Sequence, residues 1–223
     1  MRPRDSFFIL LLLYIFPIAI DMIAPSNCVS YVLFILAFII AFIYYYWSCY
    51  IPNIQLRNKE LEMIFEHLFI SLDKQLKDLN PGGYVMRFNI MRIKKRFLFC
   101  GSKYLYSAFK TPGYKNSELE QIYRENQGCC GTALHEREQI FFDSERLDTV
   151  NRLYKNMTAT QREITGEIKS ILSTPIYSNY RNKAPIAILN IDSFVNISFT
   201  KFDDNAVQEI ASKMSVLFSK FFI

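Results

Sequence analysis

The sequence is poor in the groups that do metal and nucleophilic chemistry. It has two histidines, His67 and His135, and no Cys-x-x-Cys pair or Cys/His spacing suited to zinc. Its five cysteines are an odd number: Cys28 and Cys49 sit in apolar runs, and Cys100, Cys129 and Cys130 lie beyond them. Adjacent cysteines rarely bridge one another, so reduced thiols are expected. No Gly-rich phosphate loop, kinase signature or nucleophile elbow is present. No catalytic residue, cofactor or metal is expected.

Charge is absent from residues 28–51. A bilayer core about 30 Å thick needs roughly 20 apolar helical residues, which this run supplies. An earlier run, residues 7–20, is apolar apart from Tyr14 and reaches that length when extended to residue 24, with Asp21 at the interface. Pro25-Ser26-Asn27 between the runs suits a tight turn. Residues 1–52 are therefore expected to form a transmembrane hairpin, with helices at about 7–24 and 28–51. Tyr44, Tyr45, Tyr46, Trp47 and Tyr50 crowd the end of the second run as an interfacial aromatic belt would. Arg2 and Arg4 precede the hairpin and Arg57 and Lys59 follow it, which places both termini of a two-pass inner-membrane protein in the cytoplasm. The first run also resembles a signal peptide, but no small-x-small cleavage site follows it.

The rest of the chain is long enough for one domain with its own core. It carries the whole net charge of +5, because the hairpin's charges cancel. The basic cluster Arg92-Ile93-Lys94-Lys95-Arg96 is short and flanked by strand-like residues, so it is read as a hairpin turn that could touch anionic lipid. No nucleic-acid partner is expected. Leu61, Phe65, Leu68, Leu72 and Leu79 give residues 54–80 a helical period, stopped by Asn80-Pro81-Gly82-Gly83. This helix, 53–80, follows the Ile51-Pro52-Asn53 break as a connector to the membrane, either as a coiled coil or packed on its own domain. Strands are expected at 84–92, 96–106, 139–143, 168–178 and 184–192, a short helix at 117–126, a Gly-flanked turn opening a brief helix at 128–134, and a last helix from Asp203, its N-cap. Thr174-Pro175 removes a ladder donor, which suits an edge or a bulge.

In this order the pieces resemble a GAF domain. The resemblance covers most of residues 56–223. It is carried by Gln127-Gly128-Cys129-Cys130-Gly131-Thr132-Ala133 leading to Gln139-Ile140-Phe141-Phe142-Asp143, then by Ser173-Thr174-Pro175 in its strand, and by the strand from Ala184 to Asp192. It implies an α/β (α+β) fold, an antiparallel sheet flanked by helices over 81–223 with its first helix shared with the connector, behind the two transmembrane helices. It also implies a ligand pocket covered by the middle segment.

Asn190, Phe199, Asp203 and Asp204 are similar to the signature of the cyclic-nucleotide branch of that family, but Ile191 replaces its lysine. Gly128 and Cys130-Gly131-Thr132-Ala133 are similar to the free methionine-(R)-sulfoxide reductases, yet no cysteine follows Cys130 to act as the resolving thiol. A sensor is thus expected in preference to an enzyme, with Arg87, Arg96, Phe97, Phe99, Cys130, Thr132, Phe141 and Thr174 as candidate ligand-binding residues, and Arg87 or Arg96 meeting a phosphate. No kinase, cyclase, phosphatase or DNA-binding module follows the last helix in this sequence. The output is therefore expected through the two membrane helices: the chain would be a homo-oligomeric effector of bacterial anti-phage signalling that answers a cyclic nucleotide or oligonucleotide and disrupts the bilayer. The alternative is a tethered module that docks a separate signalling protein.

Overall fold

The computed structural model describes residues 51–95, 103–154, 156–178 and 184–222, with isolated positions at Ile39, Phe42, Ile43 and Tyr46. Apart from those four and Ile51, the expected membrane helices lie outside the described residues, and no helix among the described residues is long and apolar enough to cross a membrane. The chain divides into two compact units, Met1–Glu60 and Leu61–Ile223. The second carries the sheet and both cores.

The helix α1 spans Ile51–Leu79. Residues 51–53 of the expected break are helical, and what immediately precedes them lies outside the described residues. Phe65, Phe69, Leu72 and Leu76 are buried at spacings of four and three, as an apolar helix face requires. Leu61, Phe65, Leu68 and Leu72 lie on that face as the sequence period suggested, joined by Phe69 and Leu76, while Leu79 is exposed.

Six strands follow: β1 (Met86–Lys95), β2 (Lys103–Lys110), β3 (Tyr123–Arg124), β4 (Ile140–Asp143), β5 (Ser170–Tyr177) and β6 (Pro185–Ser193). They form one sheet in the order β3-β2-β1-β6-β5-β4, with every pairing antiparallel. The remaining helices are α2 (Asn116–Leu119), α3 (Gly128–Glu136), α4 (Leu147–Tyr154), α5 (Ala159–Thr165), α6 (Ile197–Thr200) and α7 (Asn205–Ser219).

Several boundaries differ from the expected ones. Lys94 and Lys95 continue β1 and pair with Tyr104 and Lys103, so most of the basic cluster is strand, not turn; Arg96 lies outside the described residues. The expected helix at 117–126 is one turn, α2, followed by the two-residue β3. The cap of α7 is Asp204, whose side chain accepts from the Ala206 N–H at 2.7 Å, while Asp203 pairs with Arg146. Pro175 does lie where a strand lacks a neighbour: β4 pairs only with Ser170 to Ser173, so β5 is open on that side beyond it.

The two sheet faces have separate cores. Met86, Phe88, Ile90, Leu189 and Ile191 pack with Phe65, Phe69 and Leu72 of α1 and Val207, Ala211, Met214 and Phe218 of α7. The intervening residues, Met91 of β1, Ile171 of β5 and Ile188 of β6, face Cys129, Cys130 and Ala133 of α3 and Leu153 of α4. Strand alternation therefore places Arg87 and Asn89 of β1, and Asn190 and Asp192 of β6, on this second face.

Candidate functional site

Over that second face lies a cavity of about 60 Å³. Its floor is the sheet: Asn89 and Met91 from β1, Ser107 from β2, Ile171 from β5, Asn190 and Asp192 from β6. Its cover is the middle of the chain: Tyr114, Glu118 and Leu119, then Tyr123, then Gly128, Cys129 and Cys130 at the start of α3, with Leu153, Tyr154 and Met157 behind. No Lys, Arg or His is among these described lining residues.

Glycine geometry sets the α3 side of the cavity. Gly128 has φ +63°, a conformation that a Cβ disfavours. Gly131 packs on the backbone of β3, and a Cβ there would come within 2.3 Å of the Arg124 carbonyl oxygen. The Gly131 carbonyl accepts from the Asn126 N–H at 2.8 Å, and Thr132 Oγ1 donates back to the Gly128 carbonyl at 2.8 Å. The Gly-x-x-Gly string is thus a device for bringing two thiols to the cavity wall.

The other side of the cover is a strap, residues 111–119, that crosses from the end of β2 to α2. Thr111 ties its start to Phe88, donating its N–H to the Phe88 carbonyl at 2.8 Å. Its middle is held by Arg87, which is 2% exposed. Arg87 Nε donates to Asp192 Oδ1 at 2.6 Å, and Nη1 donates to the Gly113 carbonyl at 3.1 Å and to Glu118 Oε2 at 3.2 Å. The guanidinium is sandwiched between the rings of Tyr114 and Phe194, 4.3 and 4.4 Å from their centroids. Tyr114 closes the cluster by donating its hydroxyl to Asp192 Oδ2 at 2.7 Å.

Electrostatics follow from this burial. Burial pushes the Asp192 carboxyl up to about 6, against the pull of Arg87 and the Tyr114 hydroxyl. Burial also works against the Arg87 charge, but Asp192 and Glu118 overcome it and hold its guanidinium above the ordinary value. Because the folded state holds the Asp192 proton more tightly than the unfolded chain, this group favours folding most below its ordinary pKa, and the benefit is lost as pH rises through about 6. Asp192→Asn is therefore expected to gain stability relative to wild type between pH 4 and pH 7 (about the titration range of the group). Parallel chemical denaturation across that range measures the gap.

The sequence-derived candidates separate by position. Cys130 lines the cavity. Arg87 lies beside it and is committed to Asp192 and Glu118. Thr132 is buried, with its hydroxyl spent on Gly128. Phe141 packs with the core on the α1/α7 side of the sheet. Thr174 points that way too, accepting from Gln139 Nε2, which also reaches the Gln208 carbonyl of α7. Arg96, Phe97 and Phe99 lie outside the described residues. Sequence reasoning missed Asn89, Asp192, Tyr114 and Glu118, and named Asn190 only through its resemblance to the cyclic-nucleotide signature. The polar positions of β1 and β6 were the available signal, since a strand buried on both faces should otherwise read as apolar.

No protein-family model and no curated protein matches this chain. Solved structures do. The GAF domain region of a protein from Geobacter sulfurreducens PCA is 16% identical, with 76% of this chain and 97% of that chain covered and a TM-score of 0.50. The type II free methionine-R-sulfoxide reductase from Thermoplasma acidophilum is also 16% identical, covering 76% of this chain and 96% of that one, with a TM-score of 0.46. The GAF domain from an Acinetobacter phosphoenolpyruvate-protein phosphotransferase is 11% identical, covering 60% and 68%, with a TM-score of 0.41. The fold is GAF-like: an antiparallel sheet flanked by helices on both faces.

Proposed function

We propose that the chain is a small-ligand sensor held at a membrane, with the cavity between the sheet and the strap as its receptor site and the two predicted membrane helices as its output. The observation that carries the reading is the cavity itself: a partly open, mostly apolar space with a few convergent polar groups, set between the sheet and its cover segments. The membrane part rests on the charge-free run at 28–51.

Within this reading a cyclic nucleotide or oligonucleotide, and a bilayer-disrupting role in anti-phage signalling, are the sharpest version. The cavity walls qualify it. A nucleotide phosphate would find no cation among the described lining residues, and the strap would have to lift to admit it. Thermal unfolding of the purified chain against linear and cyclic nucleotides, amino acids, amines and short acids tests the sensor reading. A ligand at 100 times its Kd adds about 2.7 kcal/mol of stability. A shift with one class is expected; silence across all classes would favour the tethered docking module instead.

Catalysis by the thiols is not part of the proposal. Burial pushes Cys129 up to about 12 and Cys130 above the ordinary thiol range, whereas a thiolate nucleophile needs the opposite shift. Cys129 Sγ instead donates to the Ile140 carbonyl at 3.3 Å. At pH 7 iodoacetamide is expected to alkylate both thiols at least about a hundredfold more slowly than free cysteine. Mass spectrometry of a time course measures this, and rapid alkylation of Cys130 would reopen the reductase reading.

A further inference from the structure

One polar rung of the sheet runs into the cavity floor, where Asn190 and Asn89 line it. Ser173 of β5, Asn190 of β6 and Asn89 of β1 are register partners in adjacent strands. Ser173 Oγ donates to Asn190 Oδ1 at 2.6 Å, which satisfies that carbonyl. Asn89 ends the rung differently. It is 7% exposed, it lines the cavity, and its Oδ1 has no hydrogen-bond partner. Buried acceptors are nearly always paired, because an unmade hydrogen bond costs the full desolvation of the group. An orphan acceptor on a cavity wall is therefore a recognition point for a donor.

Resting on the sensor reading, we infer that the cavity takes a compact, uncharged or cationic molecule whose N–H or O–H donates to Asn89 Oδ1. Three observations set the class. A volume of about 60 Å³ has room for roughly four to six water-sized groups, which suits a short body rather than a nucleotide. The walls are otherwise mostly apolar, with Met91, Leu153 and Ile171 to receive that body. The charged groups on the walls are carboxylates, Glu118 and Asp192, and their counterion Arg87 stands behind them. An anion would meet two carboxylates and no lining cation; an amide or ammonium would meet a free acceptor. Asn89 thus sets specificity, discriminating by hydrogen-bond direction as polar sites built for one donor do.

The test uses a four-carbon set of one shape on the full chain in detergent micelles: n-butylamine, butyramide and n-butyrate, with inorganic phosphate and cyclic AMP alongside. Melting temperature is followed against concentration. The expected result is saturable stabilisation by butylamine and butyramide and none by butyrate or phosphate. Asn89→Leu, which keeps the branched heavy-atom shape and removes the acceptor, is expected to weaken both by at least tenfold. Asn89→Asp keeps an acceptor and adds charge, and is expected to retain butylamine. Butyrate, phosphate or cyclic AMP binding as well as butylamine would overturn the ligand class while leaving the sensor reading in place. So would unchanged butylamine and butyramide affinity in Asn89→Leu, or loss of butylamine in a folded Asn89→Asp. Silence from every compound in the wild type would overturn the ligand class, and the sensor reading would then stand or fall on the wider panel of nucleotides, amino acids and short acids.

Discussion

Arg87→Met is expected to destabilise the domain by about 3–5 kcal/mol at pH 7.5, the cost of stranding buried carboxylates without their cation. The substitution keeps an apolar stem between the Tyr114 and Phe194 rings and removes the charge that Asp192 and Glu118 share. For a domain of this size that is a fall in Tm of roughly 6–20 °C. The loss should shrink in acid. Asp192 already sits at about 6 with Arg87 present, and without it the carboxyl rises further, so protonation relieves the strain as pH falls. A second substitution, Asp192→Asn, is expected to restore much of the stability at pH 7.5, because two buried neutral groups are cheaper than one unpaired charge. Arg87→Lys tests the geometry. A single ammonium cannot bridge Asp192, Glu118 and the Gly113 carbonyl, so the strap should loosen even though charge is kept. Faster hydrogen exchange at residues 112–119 in Arg87→Lys would show this, whereas exchange at the wild-type rate would mean that the Thr111 anchor and the Tyr114–Asp192 bond hold the strap without the guanidinium.

This cluster was beyond the reach of the sequence. Arg87 and Asp192 are separated by 105 positions and meet because β1 and β6 pair in that register. Arg87 could be picked out as a polar strand residue and a cation for a phosphate, but nothing local pairs it with Asp192. Both faces of this sheet are covered, so alternation did not say which side held the pocket. That is why Phe141 and Thr174 were expected at the ligand and lie in the α1/α7 half instead. A one-residue change of facing moves every side chain of a strand to the other core. What could be read was local: the amphipathic period of α1, the long apolar runs of β5 and β6, and the paired glycines before α3. Each of those has a cause within a few residues. The two-residue β3 has none, since it is held by pairing with β2; the single turn of α2 has a local cap, Glu118 accepting from the Lys115 N–H at 2.6 Å, but its placement comes from the Arg87–Glu118 contact.

The glycines allow the part read from sequence to be tested by size of effect. Gly131→Ala is expected to cost about 3 kcal/mol or more, because the new Cβ meets a backbone oxygen, which cannot swing aside as a side chain would. The contact would be 2.3 Å to the Arg124 carbonyl oxygen, with the Asn126 nitrogen at 3.4 Å. Relief requires α3 to move off β3, breaking the Asn126 N–H to Gly131 carbonyl bond and withdrawing Cys129 and Cys130 from the cavity wall. Gly128→Ala meets only side chains, at 3.5 Å, and its cost of about 1–2 kcal/mol comes from the positive φ. Gly83→Ala meets nothing within 4 Å and should be neutral or slightly stabilising, by up to about 1 kcal/mol, through the unfolded chain. The expected order, Gly131 far above Gly128 above Gly83, is read directly from denaturation midpoints. Equal costs at Gly131 and Gly128 would mean that α3 does not lie against the β3 backbone. The cavity would then lose the wall that makes it a receptor site.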